Sequence, residues 1–118
     1  MIPWNPLARG CLARAWESRA DTTRAQTDAY GTHLYAAAED ADRKVVDRVG
    51  EIAAARDLPR AEVARTWLLS KPVVTARIVG ATKPQHLEDA VAALGVKLSD
   101  EEIAALEAPY VPHSVAGI

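Results

Sequence analysis

Residues 73–95 read VVTARIVGATKPQHLEDAVAALG and carry the clearest fold signal in the chain. The first seven residues are mainly β-branched and lie between a proline and a glycine, which is typical of a short buried strand. After the turn, Pro84 suits the first position of a helix. Three apolar side chains then recur at helical spacing: Leu87, Val91 and Leu94. The stretch therefore predicts a strand, a turn and a helix in succession.

Two helices are predicted before this unit. Four apolar residues form one stripe of a helix from about residue 42 to residue 56: Val45, Val49, Ile52 and Ala53. A second helix, from about residue 60 to residue 70, has its own apolar face: Val63, Ala64, Trp67 and Leu68. Pro72 ends it, because proline disfavours helical geometry in the residue before it.

A last helix follows the strand–turn–helix unit. The run from Ser99 to Glu102 forms a capping box, and Leu98 is placed to contact Ile103 as a hydrophobic staple. This helix is expected to end before Pro109, leaving an extended tail at 109–118.

The beginning of the chain has weaker signals. With two prolines and a glycine, residues 1–10 suit at most a short strand running into a loop, and no helix is expected to start there. Residues 11–41 predict a long loop with one short helix at most. Trp4 and Trp67 are most simply core residues, although Trp4 could instead offer a stacking face to a flat ring. One domain is expected over residues 1–118.

Composition excludes several classes of function. The 118 residues carry a formal net charge of −2, which argues against binding to nucleic acid or to a membrane surface. No apolar run is long enough to span a bilayer. Cys11 is the single cysteine, so it is expected to be a small buried residue in a reducing, cytoplasmic setting. The oligomeric state stays open.

The turn Gly80-Ala81-Thr82-Lys83 is the best candidate for chemistry. A turn between a strand and a helix start binds anions through backbone N–H groups, and here a hydroxyl and an ammonium are added. An ordinary capped loop has the same composition, so this pattern alone does not decide between the two. It is not a P-loop, because no glycine directly precedes Lys83. No metal site is expected, because the histidines at 33, 86 and 113 have no partner at ligand spacing.

Four segments follow one another as they do at the C-terminal end of aldo-keto reductases, and the chain resembles that family over nearly its whole length. They are Ile2–Gly10 (IPWNPLARG), Ala61–Leu69 (AEVARTWLL), Ile78–Pro84 (IVGATKP) and Leu98–Ile103 (LSDEEI). The resemblance implies the C-terminal fragment of an α/β (β/α)8 TIM barrel, mostly helical. Ile2–Trp4 would end strand seven and Ile78–Val79 would lie in strand eight. It also implies reduction of aldehydes and ketones with NADPH and without a metal.

Carried over position by position, the resemblance implies a set of cofactor-binding residues. Trp4 matches the aromatic residue that stacks on the nicotinamide ring. The loop beside the pyrophosphate is matched by Asn5, Pro6, Leu7, Ala8 and Arg9, with Asn5 where many relatives have serine. The turn around the adenosine 2′-phosphate is matched by Gly80, Ala81, Thr82 and Lys83. His86 stands where many relatives have arginine or glutamine, Asp89 matches the acidic residue near the adenine, and Ala90 replaces a common asparagine.

Length limits what the chain is expected to do alone. A barrel of this type needs roughly 250 residues, and 118 are fewer than half of them. In the family, the catalytic Asp, Tyr, Lys and His precede this stretch, and no residue here matches them. The chain is therefore expected to be inactive alone while carrying the cofactor's phosphate-binding turn. Two alternatives are a helical interaction module that binds a partner through apolar faces of the 42–70 helices, and a remnant that binds NADP.

Overall fold

The computed structural model describes residues 1–18 and 39–112. Most of the predicted loop at 11–41, with Tyr30, Tyr35 and His33, therefore lies outside the described residues, as does the end of the tail with His113. The described part contains four α-helices: α1 (Glu39–Arg56), α2 (Arg60–Leu69), α3 (Pro84–Ala92) and α4 (Asp100–Glu107). Short 3-10 helices occupy Ala8–Ala13, Trp16–Ser18 and Ala93–Gly95.

The core lies where α1, α2 and α4 meet. Its buried members are Val49, Ile52, Ala53, Val63, Leu98 and Leu106. Leu12 and Trp67 pack against this cluster from its edge. Part of the apolar stripes predicted for α1 and α2 is thus used inside the fold, whereas Val45, Ala64 and Leu68 line an apolar cleft.

Helix α4 confirms the predicted capping box. Ser99 Oγ accepts a hydrogen bond from the Glu102 N–H at 3.1 Å, and the Ser99 N–H donates to Glu102 Oε1 at 2.9 Å. Both residues of the predicted staple belong to the core, with Leu98 buried and Ile103 packed against it. A surface arginine of α1, Arg56, then joins α1 to this cap by donating to Glu102 Oε2 at 2.7 Å.

The prediction of two strands is wrong for the described residues, because neither segment forms a regular strand. Residues 74–81 and 1–3 are extended but form no strand. Two backbone hydrogen bonds join them, from the Thr75 N–H to Met1 O and from the Ile78 N–H to Pro3 O, both 3.0 Å long. Two bonds along one edge are too few for a sheet, whose stability needs several adjacent strands.

The apolar stripe predicted for α3 does not enter the core. Leu87, Val91 and Leu94 are 58%, 57% and 69% exposed, whereas Ala90 and Ala93 are buried. The Thr66 hydroxyl of α2 donates to Ala93 O at 3.2 Å, so a small residue of the 3-10 turn directly after α3 is the one that approaches α2. Close approach of the two backbones favours alanine at the contact and turns the larger side chains away from it.

Three other expectations about the beginning of the chain need correction. A 3-10 helix starts at Ala8, inside the first ten residues, where left-handed backbone at Arg9 and Gly10 kinks it. Trp4 is 61% exposed and is not a core residue, because it lies in the wall of an open cleft and not between packed helices. Cys11 is half-buried, not fully buried.

Candidate functional site

The resemblance assigns two loops to the cofactor. Both loops begin at the same end of the pair of extended segments that residues 1–3 and 75–78 form. The hydrogen bonds pair Met1 with Thr75 and Pro3 with Ile78, so the two segments run in the same direction. Trp4 follows directly after Pro3, and Gly80 lies two residues after Ile78, where the pairing between the segments ends. In α/β folds, ligands bind at the carboxyl ends of parallel strands, and that is the end where both loops begin.

The loop after Trp4 is held by its own backbone and by one side chain. Asn5 has a φ of +62°, a left-handed conformation that asparagine tolerates better than most residues. Its Oδ1 accepts a hydrogen bond from the Arg9 N–H at 2.8 Å, and the Ala8 N–H donates to Asn5 O at 3.1 Å. These bonds fold residues 5–9 into a tight loop that includes Pro6 and Leu7.

The turn from Gly80 to Lys83 is open to solvent. All four of its residues are exposed, and a Cβ built on Gly80 meets no atom within 4 Å. Lys83 is the N-cap of α3 and does not cap the helix with its side chain. An anion can therefore approach both the Lys83 ammonium and the positive end of the helix dipole.

The helix start supplies fewer backbone donors than a typical anion site. Pro84 has no N–H, and the His86 N–H already donates to Lys83 O at 3.1 Å. Side chains therefore have to provide more of the binding. Thr82 Oγ1 lies 3.5 Å from His86 Nδ1, which places the hydroxyl and the imidazole side by side over the first turn of α3.

Asp89 is already bonded to a residue at the start of α3. Its Oδ1 accepts a hydrogen bond from Gln85 Nε2 at 2.7 Å. Burial lowers the pKa of Arg65, and the charge of Asp89 offsets part of that effect. A role beside an adenine ring would have to compete with these neighbours. Of the predicted set, Asp89 is thus the residue most clearly engaged elsewhere.

An apolar cleft of about 580 Å³ takes in part of the predicted set. Trp4, Asn5, Pro6 and Ala8 line one wall, and residues of α1, α2 and α4 line the others. The turn residues Gly80 to Lys83 do not line this cleft, although their turn begins at the same end of the extended pair as the loop after Trp4.

Sequence reasoning missed a polar cluster at the rim of the cleft. Glu107 accepts hydrogen bonds from Trp67 Nε1 at 3.0 Å and from Lys71 Nζ, and the Lys71 ammonium lies 4.8 Å from the centre of the Trp67 ring. The Lys71 hydrogen bond is the main reason why the pKa of Glu107 is lowered. Trp67 and Lys71 lie 40 and 36 positions before Glu107, so no local motif could have grouped them.

Within residues 1–18 and 39–112, no three His, Cys, Asp or Glu side chains are grouped as metal ligands would be. Every helix in those ranges is too short or too polar to cross a bilayer.

Comparison with known proteins places these features in a family. The model of the aldo/keto reductase family matches residues 1–110. A versiconal hemiacetal acetate reductase of Aspergillus parasiticus is 45% identical over 116 residues, which are 98% of this chain and 33% of that protein. A putative aryl-alcohol dehydrogenase of Schizosaccharomyces pombe is 39% identical over 117 residues, covering 99% of this chain and 32% of that protein. An aldo-keto reductase of Fusarium vanettenii is 40% identical over 117 residues, again 99% of this chain and 31% of the relative.

These matches define an α/β oxidoreductase class whose members are built as (β/α)8 barrels. The chain belongs to the aldo/keto reductase family. It spans about a third of the length of the relatives it matches.

Proposed function

We propose that this chain is the C-terminal, cofactor-binding part of an NADP-dependent aldo/keto reductase. In this proposal Gly80 to Lys83 hold the adenosine 2′-phosphate, and the loop from Trp4 to Arg9 contacts the nicotinamide and pyrophosphate. The catalytic Asp, Tyr, Lys and His lie outside these 118 residues. The carbonyl substrate is an aldehyde or ketone, as the names of the reductase relatives suggest.

The main support for the proposal is that the two loops begin at the same end of the extended pair. The parallel hydrogen bonds between residues 1–3 and 75–78 bring the starts of both loops to one end of the extended pair. A dinucleotide needs contacts to its phosphates and to its nicotinamide from neighbouring loops at that end.

The residues of the turn suit a phosphate group. Lys83 offers a full charge, Thr82 a hydroxyl, and Gly80 leaves space for the ligand's approach. The bound nucleotide would supply the hydride for carbonyl reduction. This chain's own residues would bind and orient it.

Titration of the full chain with NADP⁺ tests the proposal. Lys83→Ala and Thr82→Ala should each weaken binding, with Lys83→Ala raising the Kd roughly tenfold or more, because a charge-assisted hydrogen bond to phosphate contributes about 1.5–3 kcal/mol. Lys97→Ala is the matched control, since it removes another exposed lysine outside the turn. Equal affinity in all four proteins would show that the turn does not bind the nucleotide.

A separate assay tests where the catalytic acid lies. The chain alone, given NADPH and a simple aldehyde, is expected to show no oxidation of NADPH above background. Turnover by the 118 residues would contradict the placement of the catalytic residues on other polypeptide.

A further inference from the structure

The apolar cleft between the beginning of the chain and helices α1, α2 and α4 leaves aromatic surface uncovered. Trp4 and Tyr110 line it and are each 61% exposed, although the buried core residues Val49 and Leu106 line the same cleft. Its volume of about 580 Å³ lies within the range of about 300–1,000 Å³ that is typical of small-molecule pockets. Such pockets usually have apolar and aromatic walls with a few polar groups. The cleft therefore has the size and the lining of a ligand site.

Hydrogen bonding holds one aromatic wall of the cleft in place. Trp67 lines the cleft, and its Nε1 donates to Glu107 Oε1 at 3.0 Å. The Lys71 ammonium donates to the same oxygen and lies 4.8 Å from the centre of the Trp67 ring. A side chain that is already ordered loses little entropy when a ligand binds against it. Because paired rings gain more than the burial of their area alone provides, these walls favour an aromatic ligand.

Among the described residues that line the cleft, only Glu107 carries a charge. The hydrogen bonds from Lys71 and Trp67 lower the pKa of Glu107, so its carboxyl group is ionised at neutral pH. Both bonds end on Oε1, and Oε2 receives no hydrogen bond from the described part of the chain. Lys71 does not line the cleft and balances the carboxylate charge from outside it. The cleft thus offers a ligand a hydrogen-bond acceptor and no cation.

We propose that the cleft binds a neutral aromatic molecule with a phenolic hydroxyl, its ring against Trp4 and Trp67 and its hydroxyl donating to the Glu107 carboxylate. A hydrogen bond to an ionised acceptor is stronger than one between neutral groups. The carboxylate disfavours a ligand anion. A ligand cation would give up its hydration for a carboxylate that Lys71 already neutralises. A neutral hydroxyl loses less hydration on entering an apolar cleft and still gains the hydrogen bond.

This inference does not rest on the proposed function. The turn from Gly80 to Lys83 does not line the cleft, so nucleotide binding by the turn and phenol binding by the cleft depend on different residues. Trp4 belongs to both proposals, and for this reason the test changes Glu107 and uses no nucleotide. Either proposal can therefore fail while the other holds.

Titration of the full chain with 2-naphthol and with 2-naphthoate at pH 7 tests the proposal. The two probes share one ring system, but the first is neutral and the second is an anion. We expect the wild-type chain to bind 2-naphthol roughly tenfold or more tightly than 2-naphthoate. Glu107→Gln keeps the size of the side chain and removes its charge, so the two Kd values should come within about threefold of each other. Glu101→Gln is the matched control, because it removes a carboxylate of the same helix outside the cleft, and it should keep the wild-type preference.

The three tryptophans show where the probe binds. Trp4 and Trp67 line the cleft and Trp16 does not, and each gives one indole N–H signal in nuclear magnetic resonance spectra of the isotope-labelled chain. In the wild-type chain, 2-naphthol should shift the signals of Trp4 and Trp67 in a saturable way and leave that of Trp16 in place. This result and the preference for 2-naphthol need no variant, so they test the proposal even if Glu107→Gln fails to fold. Equal wild-type affinity for the two probes, a preference that Glu107→Gln retains, or equal shifts of all three signals would overturn the proposal.

Discussion

The side chain of Glu102 joins helix α1 to the N-terminal cap of helix α4. It accepts hydrogen bonds from Arg56 of α1 and from the N–H of Ser99, and the Arg56 bonds are the main reason why its pKa falls to about 2. The helix cap was predictable from local spacing. The link to Arg56 was not, because 46 residues separate the partners and only the packing of α1 on α4 brings them together.

The pH dependence of stability should report this link. Because the pKa of Glu102 lies below the ordinary value of 4.5, the ionised carboxylate stabilises the fold above about pH 5, and this contribution is lost as the pH falls toward about 2. We expect Glu102→Gln to cost about 1 kcal/mol of unfolding free energy at pH 7, and the difference from wild type to shrink between about pH 5 and 3. Urea denaturation at several pH values measures this difference in unfolding free energy.

The neighbouring residue provides the control. Glu101 is exposed on the first turn of the same helix, so Glu101→Gln should change stability by less than about 0.5 kcal/mol. A penalty for Glu102→Gln that stays constant down to pH 3 would mean that the carboxylate charge is not what joins the two helices.

Arg65 marks the limit of residue-level prediction. In the sequence it lies within an apolar helical segment, AEVARTWLL, where an arginine is expected to face solvent. Its burial follows from the approach of α3 and the extended segment from the other side, and local periodicity contains no information about that approach.

At the level of elements, the periodicity of apolar residues predicted the positions of the helices correctly, but the apolar face that it predicted for α3 is not buried. The predicted ranges of α1 and α2 agree with the structure to within a few residues, and part of each predicted apolar stripe belongs to the core. For α3 the same rule selected Leu87, Val91 and Leu94, which are exposed. Periodicity identifies an apolar face, but a face is buried only where another element covers it.

A pair of identical substitutions tests this difference. Val63 on α2 has no exposed surface and Val91 on α3 is 57% exposed. Val63→Ala should therefore lower the unfolding free energy by about 2 kcal/mol, because it leaves a cavity, and Val91→Ala by less than about 0.5 kcal/mol. Chemical denaturation measures both. Equal losses would mean that α3 buries its apolar stripe in solution.

At the level of the molecule, the extended pair shows that strand composition alone does not make a sheet. The β-branched run at 73–79 has strand composition, yet strand structure depends on partners, and among the described residues the only distant segment that forms backbone hydrogen bonds with it is 1–3. Local sequence could predict the segment's preference, but a sheet depends on neighbouring strands that local sequence does not specify.

The exposed apolar side chains should make the isolated chain associate. Ile2, Val73, Ile78 and the α3 stripe are each more than half exposed, which is typical of surfaces that another element covers. We expect sedimentation velocity to show concentration-dependent association at micromolar concentrations, reduced by Leu87→Lys together with Leu94→Lys. A monodisperse monomer that unfolds cooperatively would instead favour an independent helical module.

The nucleotide itself separates the proposed role from its alternatives, because NADP⁺ differs from NAD⁺ only by the 2′-phosphate. Isothermal titration of the full chain and of Lys83→Ala with both nucleotides measures how much of the affinity depends on that group. If the turn at the start of α3 holds the 2′-phosphate, the wild-type chain binds NADP⁺ roughly tenfold or more tightly than NAD⁺, and the preference disappears in Lys83→Ala while NAD⁺ affinity is unchanged. Equal affinity of the wild-type chain for the two nucleotides, or a preference that survives the loss of Lys83, would contradict that role for the turn.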